Sequence, residues 1–158
     1  MSGAVELGLA RTDEAGFIAG MSRDLIETDL PWRWRPFCIR ESIRDPDTLV
    51  VVARHRGVVV GFALMEFQLE EAHLNLFAVN PQWQRQGVGG RLLDWLEESA
   101  RVAGIARILL EVRLHNNVAR RFYQRWGYQD TQFLHRYYNG VEPALRMVRT
   151  LRATSGTT

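Results

Sequence analysis

The residue run with the clearest chemical character is rich in glycine and follows a β-type segment. It reads Val79-Asn-Pro-Gln-Trp-Gln84-Arg-Gln-Gly87-Val-Gly89-Gly90-Arg91 and passes into a long pattern of helical periodicity. The first N–H groups of a helix have no helical partner and the helix dipole adds positive potential, so a helix start binds anions. Arg85 and Arg91 add positive charge. The run therefore predicts a phosphate or pyrophosphate site.

Two residues on predicted strands, His73 and Glu111, and one on a predicted helix, Tyr123, could exchange protons. Strand side chains alternate, so one face is expected to carry His73, Asn75, Phe77 and Val79, and another Leu109, Glu111 and Arg113. Either base candidate could instead be structural, with Glu111 simply paired to an arginine. A tyrosine with a pKa of ~10 is protonated at neutral pH and can act as an acid. Tyr123 could also be only a half-buried helix residue.

Two common nucleotide sites do not fit the glycine-rich run. A Walker loop needs Gly-Lys-Ser/Thr, and the chain contains no lysine, all 20 basic residues being arginine. The dinucleotide fingerprint needs a third glycine after Gly87 and Gly89, but that position is Leu92. A nucleotide-dependent binding protein is therefore a weak interpretation.

The spacing Gln/Arg-x-x-Gly-x-Gly/Ala, here Gln84, Gly87 and Gly89, is similar to the acetyl-CoA pyrophosphate loop of the GNAT superfamily of N-acetyltransferases. A second run resembles another motif of that family, a strand, an asparagine and a helix that ends Phe-Tyr-x-x-x-Gly-Tyr. It reads Glu111-Val-Arg-Leu-His-Asn116-Asn-Val-Ala-Arg-Arg-Phe122-Tyr123-Gln-Arg-Trp-Gly127-Tyr128. The version Glu-Val-Arg-x-x-Asn is most similar to bacterial enzymes that acetylate the N-termini of ribosomal proteins.

The resemblance implies acetyl-CoA as co-substrate, without a metal, and a primary amine as acceptor. It implies that the backbone of residues 77–79 follows the pantetheine arm, that the Val79 N–H stabilises the oxyanion, and that Asn116 binds near the pantetheine. Tyr123 would protonate the departing thiolate, and Glu111, through water, or His73 would be the general base. The implied cofactor residues are Phe77, Ala78, Val79, Gln84, Arg85, Gln86, Gly87, Val88, Gly89, Gly90, Arg91, Asn116, Ala119, Arg120, Phe122 and Tyr123.

The acceptor side is predicted to lie in the less regular parts of the chain. Three acidic residues, Asp24, Glu27 and Asp29, precede two tryptophans, and such a rim could attract a cationic amine. The predicted substrate-binding residues are Trp32, Trp34, Asn75, Tyr137 and Tyr138. The alternative is that the tryptophans cap the core and the acids are solvated. The acceptor, a small-molecule amine or an amine of a protein or peptide, could be a protein N-terminus, a lysine, a polyamine or another small amine.

The order of predicted elements is β-α-α-β-β-β-α-β-α-β-β, which indicates one α/β domain. The domain is expected to span residues 1–152, with 153–158 as a flexible tail. The resemblance implies the GNAT fold, a mixed, mostly antiparallel sheet of six to seven strands with about four flanking helices and splayed central parallel strands. The first helix is predicted from Thr12 or Asp13 to about Glu27. A final hairpin is predicted to turn at Asn139-Gly140.

Composition removes several other classes of protein. The single cysteine, Cys38, excludes an internal disulfide and a cysteine metal cluster. The longest apolar stretch, Val58–Met65, is far shorter than the ~20 residues of a membrane helix, and no signal peptide is apparent, so a cytoplasmic protein is expected. Residues 81–158 carry 12 arginines against 6 acids, but no aromatic platform or groove-reading motif suggests nucleic acid. A homodimer and a non-catalytic acyl-CoA-binding sensor remain alternatives.

Overall fold

A seven-stranded sheet and four α-helices make up residues 4–152, the part of the chain that the computed structural model describes. The strands are β1 (Glu6–Leu9), β2 (Thr48–His55), β3 (Val58–Phe67), β4 (Glu71–Val79), β5 (Arg107–Arg113), β6 (Gln129–Tyr138) and β7 (Glu142–Thr150). The helices are α1 (Ala15–Met21), α2 (Pro36–Arg44), α3 (Val88–Val102) and α4 (Asn117–Arg125). The predicted α/β class and element order are confirmed. The predicted tail lies outside the described residues.

Helix α3 follows the apolar spacing of its sequence. Leu92, Leu93, Leu96 and Ala100 are buried on one side, against the sheet. Gly104 follows the helix with a φ of 80°, a conformation that glycine adopts without steric cost and that commonly ends a helix. No helix among residues 4–152 is long and apolar enough to cross a membrane.

The first helical region differs from the single helix predicted. A 3-10 turn over Thr12–Glu14 precedes α1, and a π-helical turn over Ser22–Ile26 follows it. The predicted cap at Thr12 or Asp13 is wrong, because the Glu14 carboxylate accepts the Arg11 N–H at 2.8 Å instead. The wider turn is closed by the Glu27 N–H, which donates to the Ser22 carbonyl at 2.8 Å. It thereby brings the Glu27 side chain beside that of Ser22.

The strand order across the sheet is β1-β2-β3-β4-β5-β7-β6. Neighbouring strands are antiparallel except β4 and β5, which are parallel. These two pair only at Glu71–Arg107, Ala72–Ile108 and His73–Leu109. Beyond those pairs the strands diverge, as the family resemblance implied. The divergence leaves a cleft in the middle of the sheet.

A β-bulge lies at Asn75, in the middle of β4. Leu74 pairs with Met65 and Leu76 pairs with Leu64, so Asn75 is an extra residue with no partner opposite it. A bulge of this kind bends the strand and increases its twist. It lies next to the point where β4 leaves β5.

The bulge also exchanges the two faces of β4. Ala72 and Leu74 lie in the core beside α3, whereas Leu76 and Ala78 lie in the core beside α1 and α2. His73, before the bulge, therefore lies on the α1–α2 side of the sheet. The prediction of one shared face is wrong for the set His73, Asn75, Phe77 and Val79, since one inserted residue reverses the alternation. Phe77 and Val79 pack on the α3 side.

The β6–β7 hairpin turns at Asn139-Gly140, as predicted. Both residues have positive φ, 53° and 70°, which is the backbone signature of a type I′ turn. Strand β6 is irregular just before Tyr138, where Arg136 also has a positive φ of 54°. The irregular segment brings Tyr137 and Tyr138 to the cleft between β4 and β5.

Candidate active site

A cavity of about 590 Å³ opens where β4 and β5 diverge. Its walls come from β4 (residues 73–77), β5 (110–113), the segment 25–34 between α1 and α2, and the β6–β7 turn (137–139). Asn116 and Tyr123 line it from α4. The cavity brings together both base candidates, the acid candidate and four of the five predicted substrate residues, Trp34, Asn75, Tyr137 and Tyr138.

The carboxylate of Glu111 lies at the centre of this cavity wall. Its Oε1 is 2.5 Å from His73 Nε2 and accepts the Tyr137 hydroxyl at 3.3 Å. Its Oε2 accepts the Nε–H of Arg146, on β7, at 2.9 Å. The side chain is only 7% exposed. Glu111 is therefore paired with an arginine, Arg146, as its structural interpretation expected, and His73 belongs to the same cluster.

The charge state of Glu111 follows from these contacts. Burial raises the pKa of Glu111, but the hydrogen bonds and charges of His73 and Arg146 outweigh burial, so the pKa lies below its ordinary value. Glu111 is therefore a carboxylate throughout the neutral range. A charged acid beside an imidazole stabilises the imidazolium form.

His73 is bonded through both ring nitrogens. Nε2 faces the Glu111 carboxylate, and Nδ1 lies 3.2 Å from the amide nitrogen of Asn75. These partners suit the neutral tautomer with its proton on Nε2, because a carboxylate only accepts and an amide nitrogen only donates. The Asn75 Oδ1 atom is buried and has no partner among the described residues.

Tyr123 lies among aromatic rings at the base of the cavity. Its ring is edge-on to Phe122 and Tyr128, each with 5.5 Å between centroids, and lies 6.0 Å from Phe77. Burial raises the pKa of Tyr123 far above the ordinary tyrosine value. The phenol is therefore protonated at neutral pH, as a proton donor must be.

The segment between α1 and α2 is held by Glu27 from within. The Glu27 carboxylate accepts the Ser22 hydroxyl at 2.7 Å, the Arg33 N–H at 2.7 Å and the Trp34 N–H at 3.2 Å. Glu27 is buried. Its hydrogen bonds thus fix the main chain of this segment and leave the Arg33 side chain free to move.

The same segment is tied to the sheet by Arg113 at the end of β5. The guanidinium donates to the carbonyls of Ile26 at 3.0 Å and Thr28 at 2.6 Å. It also lies 3.5 Å from the Glu142 carboxylate and 5.7 Å from the centre of the Tyr138 ring. Arg113 therefore joins the segment 25–34 to the β6–β7 hairpin, and its guanidinium is engaged by these contacts.

The glycine-rich run forms the start of α3, as predicted. Gly87 has a φ of 83° and directly precedes the helix. A Cβ at Gly89 would lie 3.1 Å from the Phe122 ring, and a Cβ at Gly90 would lie 2.7 Å from the Trp126 ring. These two glycines thus permit α3 and α4 to approach closely, a reason for glycine that the sequence motif did not reveal.

The polar side chains around this run mostly form hydrogen bonds to nearby main-chain carbonyls. Gln84 donates to the Val79 carbonyl at 3.0 Å, and Gln86 donates to the Gln82 carbonyl at 2.9 Å. Arg91 donates to the Val5 carbonyl at 2.8 Å. Of the two arginines expected to meet an anion here, only Arg85 has no such bond among residues 4–152.

The predicted residues of α4 take up positions at its start. The Asn116 side chain accepts the Ala119 N–H at 3.2 Å and so caps the helix. Arg120 donates to the Leu114 carbonyl at 3.3 Å and lies 3.4 Å from the Asp130 carboxylate. Arg120 therefore ties α4 to neighbouring segments.

The main chain of β4 presents polar groups to the cleft. The Asn80 N–H donates to the Val60 carbonyl, so the pair Val79–Gly61 is the non-bonded type of an antiparallel ladder. The N–H and carbonyl of Val79 therefore point away from β3 and toward the cleft. The same alternation applies to Phe77.

Two expectations for the acceptor side are wrong. Asp24 bonds to its neighbour Arg23 at 2.8 Å, and neither Asp24 nor Asp29 lines the cavity, so these two acids do not form its wall. Trp32 donates its indole N–H to the Ala19 carbonyl at 3.2 Å and is stacked by arginines, outside the cavity. The alternative that a tryptophan caps the core applies to Trp32.

Two arginines of the site were missed by the sequence analysis: Arg33, which lines the cavity, and Arg146, which bonds the cavity residue Glu111. Arg146 lies opposite Glu111 in the β5–β7 register, 35 residues away in the chain. No local motif could have identified that pairing. Within residues 4–152, no three His, Cys, Asp or Glu side chains are arranged to hold a metal ion.

A family model described as the acetyltransferase (GNAT) family matches residues 19–128. An N-acetyltransferase of Methanocaldococcus jannaschii, described as uncharacterized, is 38% identical over 62% of this chain and 64% of its own length, just under two thirds. The ribosomal protein bS18-alanine N-acetyltransferase of Escherichia coli is 32% identical over 74% of this chain and 79% of that protein. The crystal structure of Ard1 from Thermoplasma volcanium has 27% identity and a TM-score of 0.83, over 95% of this chain and 99% of that one.

The similarity in structure extends over nearly the whole chain. The family match covers the segment 25–34 and the start of α4, which line the cavity, and also the glycine-rich run. The chain therefore belongs to the GNAT family of acetyltransferases.

Proposed function

We propose that this protein is an N-acetyltransferase that moves the acetyl group of acetyl-CoA to a primary amine by direct attack in a ternary complex. The observation that carries the proposal is the cluster of His73, Glu111 and Tyr123 around one cavity at the β4–β5 divergence. The E. coli relative is named for acetylation of an alanine of a ribosomal protein, which makes a peptide N-terminus one acceptor class to test.

The start of α3 is the proposed site of the CoA pyrophosphate. Its 15 residues give a full helix dipole, its first N–H groups lack helical partners, and no acid lies in the first turn. Arg85 adds a free positive charge. The cleft-facing N–H and carbonyl of Phe77 would bond the pantetheine amides, with Asn116 on the opposite side. The Val79 N–H is the proposed donor to the oxyanion.

The proposed proton acceptor is the His73–Glu111 pair acting as a unit. The Glu111 side chain is far less exposed than that of His73, 7% against 34%, and the ring nitrogen of His73 that does not face Glu111 is occupied only by the Asn75 amide. This supports His73 as the group that takes the proton from the amine, directly or through water, and Glu111 as the carboxylate that stabilises the imidazolium. Asn75 Oδ1, buried and unpartnered, would accept an N–H of the amine.

Tyr123 is the proposed proton donor to the departing thiolate. As the C–N bond forms and the C–S bond breaks, the sulfur gains negative charge and the phenol hydrogen can neutralise it. The raised pKa keeps Tyr123 protonated before the step. It also makes the tyrosinate unfavourable, so reprotonation follows from solvent or from the amine's proton.

The experiment measures thiol release from acetyl-CoA with a panel of amines and short peptides, together with thermal stabilisation by CoA. Glu111→Gln is expected to lower kcat by about 10²- to 10⁴-fold, and Tyr123→Phe by at least about tenfold, with unchanged stabilisation by CoA. Glu98→Gln, an exposed acid on α3, is the matched control. Stabilisation by CoA without turnover of any amine would contradict catalysis and favour the acyl-CoA sensor.

A further inference from the structure

The residues that line the cavity do not carry the free acids expected from the sequence. Two carboxylates line the cavity, Glu27 and Glu111, and both are buried and bonded inside the protein. Glu111 is neutralised by Arg146 and faces His73. Neither acid presents a free oxygen to a ligand entering from solvent.

Arg33 carries a free charge among the residues that line the cavity. It is exposed, it lines the cavity, and its guanidinium has no carboxylate or carbonyl partner among residues 4–152. Its main-chain N–H is bonded to Glu27, so the base of the side chain is fixed while the guanidinium can move. The arginines beside the cavity differ in this respect, since Arg113 is held by two carbonyls and Arg146 by Glu111.

Arg33 shares the cavity with the proposed catalytic cluster, since Arg33, His73, Glu111 and Tyr137 all line it. The Tyr137 hydroxyl contacts Glu111 at 3.3 Å. Burial and the Glu111 carboxylate raise the pKa of Tyr137, and the charges of Arg146 and Arg33 oppose that rise. The Arg33 guanidinium therefore faces the same enclosed space in which the amine must lose its proton.

We propose that the acceptor carries an anionic group, a carboxylate, near the reacting amine, and that Arg33 binds this group. The proposal rests on the proposed acetyl transfer and names its substrate class. A guanidinium binds such planar anions through paired hydrogen bonds. A polyamine, which the sequence left open, would be repelled.

This anionic group could belong to a small amino acid or to an acidic residue near a peptide N-terminus. The experiment separates these sources with two arms of acceptors. The small-molecule arm compares alanine with alaninamide. The peptide arm compares the tripeptide amides Ala-Glu-Ala, Ala-Gln-Ala and Ala-Lys-Ala, which share the same α-amine and differ at one side chain.

The wild-type protein is expected to use the acidic member of one arm with a kcat/KM about three- to tenfold above the neutral member, the size of one charge-assisted contact at a partly exposed site. The preference should fall in 0.5 M salt, because salt at this concentration screens the attraction between charges over roughly several ångströms. The Ala-Lys-Ala peptide should be the poorest of its arm. Whichever arm shows the preference identifies the source of the anion.

Variants of Arg33 assign the preference to this side chain. Arg33→Gln should bring the acid-to-neutral ratio close to one, Arg33→Lys should restore part of it, and Arg33→Glu should reverse it toward Ala-Lys-Ala. These changes leave the main-chain bond to Glu27 intact, so the fold is retained. Arg44→Gln removes the same charge from the exposed end of α2 and should keep the wild-type ratio.

Two results would overturn the proposal: equal use of acidic and neutral acceptors by the wild type, or a preference for acids that survives in Arg33→Gln. Failure of the proposed function looks different, because then neither the neutral nor the acidic acceptors would release thiol from acetyl-CoA. Turnover of Ala-Gln-Ala by the wild type therefore separates a wrong acceptor class from a wrong activity.

Discussion

The two sides of the cleft are built in opposite ways. The cofactor side, residues 84–91, is a continuous run in which the main chain supplies the expected binding groups and the side chains of Gln84 and Gln86 hold the run's own carbonyls. The acceptor side is assembled from distant segments, since Arg113 reaches carbonyls 85 and 87 residues away. A short motif can specify the first kind of site, whereas the second requires the whole fold.

Gly90→Val tests the cofactor side and has the largest expected effect. A side chain there would overlap the Trp126 ring, because even a Cβ would lie 2.7 Å from it. We expect a loss of about 2–3 kcal/mol of unfolding free energy, and loss of the thermal stabilisation by CoA. Urea unfolding and melting with and without CoA measure both.

Gly16→Ala is the matched control for this change. Gly16 lies in α1, and a Cβ there would meet nothing within 4 Å. The substitution should raise stability by about 0.5–1 kcal/mol and leave CoA binding unaltered. If Gly90→Val behaved like Gly16→Ala, close packing of α3 on α4 would not be what requires glycine at position 90.

Arg113→Gln tests the acceptor side and is expected to have a smaller effect. Loss of the bonds to the Ile26 and Thr28 carbonyls should loosen the segment 25–34 and raise the acceptor KM by about tenfold. Stabilisation by CoA should be retained. Glu142→Gln removes the carboxylate near Arg113 but spares the carbonyl bonds, and should change KM less than about twofold. Equal effects of both variants would contradict the anchoring role.

The smallest effects are expected from two buried acids, Glu97 below the cofactor side and Glu27 below the acceptor side. Burial raises the pKa of Glu97, and Arg149 and Arg101 only partly oppose this. The cost in stability is therefore complete above the folded-state pKa, falls as the pH drops below that value, and vanishes below the lower pKa of the unfolded chain. Glu97→Gln should stabilise by up to about 1 kcal/mol at about pH 7, and by less in acid.

Glu27→Gln should have the opposite sign. The Glu27 carboxylate accepts three hydrogen bonds; in an amide the oxygen can keep the two main-chain N–H bonds, but the NH₂ forces the Ser22 hydroxyl to accept and no bond is charge-assisted any longer. We expect a loss of about 1–2 kcal/mol. Urea unfolding of both variants at two pH values gives the comparison, and stabilisation by Glu27→Gln would show that the segment is not held by these bonds.

The elements and the glycine-rich run could be predicted from sequence because local patterns determine them. Helix α3 follows from its leucine spacing, and the turn at Asn139-Gly140 follows from residues that tolerate positive φ. The bulge at Asn75 could not be predicted, because no residue type marks it and the alternation of apolar with other residues along β4 continues through it. That single insertion made the predicted shared face of β4 wrong.

The acceptor side was harder to predict for a similar reason. Acids close to tryptophans in sequence indicated a charged rim. The Glu27 side chain is instead buried beneath the segment 25–34, where its carboxylate accepts main-chain hydrogen bonds. Arg146 meets Glu111 only because β5 and β7 are neighbours in the sheet. Cross-strand partners of this kind depend on topology, which a single sequence does not supply.

Because the contact between β4 and β5 is short, the two halves of the sheet are joined only at one end. Three residue pairs connect the ribbon β1–β4 to the ribbon β5–β7, and the remaining length of the seam is open. A force that separates the ribbons would load those pairs first, and amides there should report the opening by hydrogen exchange. A ligand that bonds to the open edges of both β4 and β5 would hold the two ribbons together.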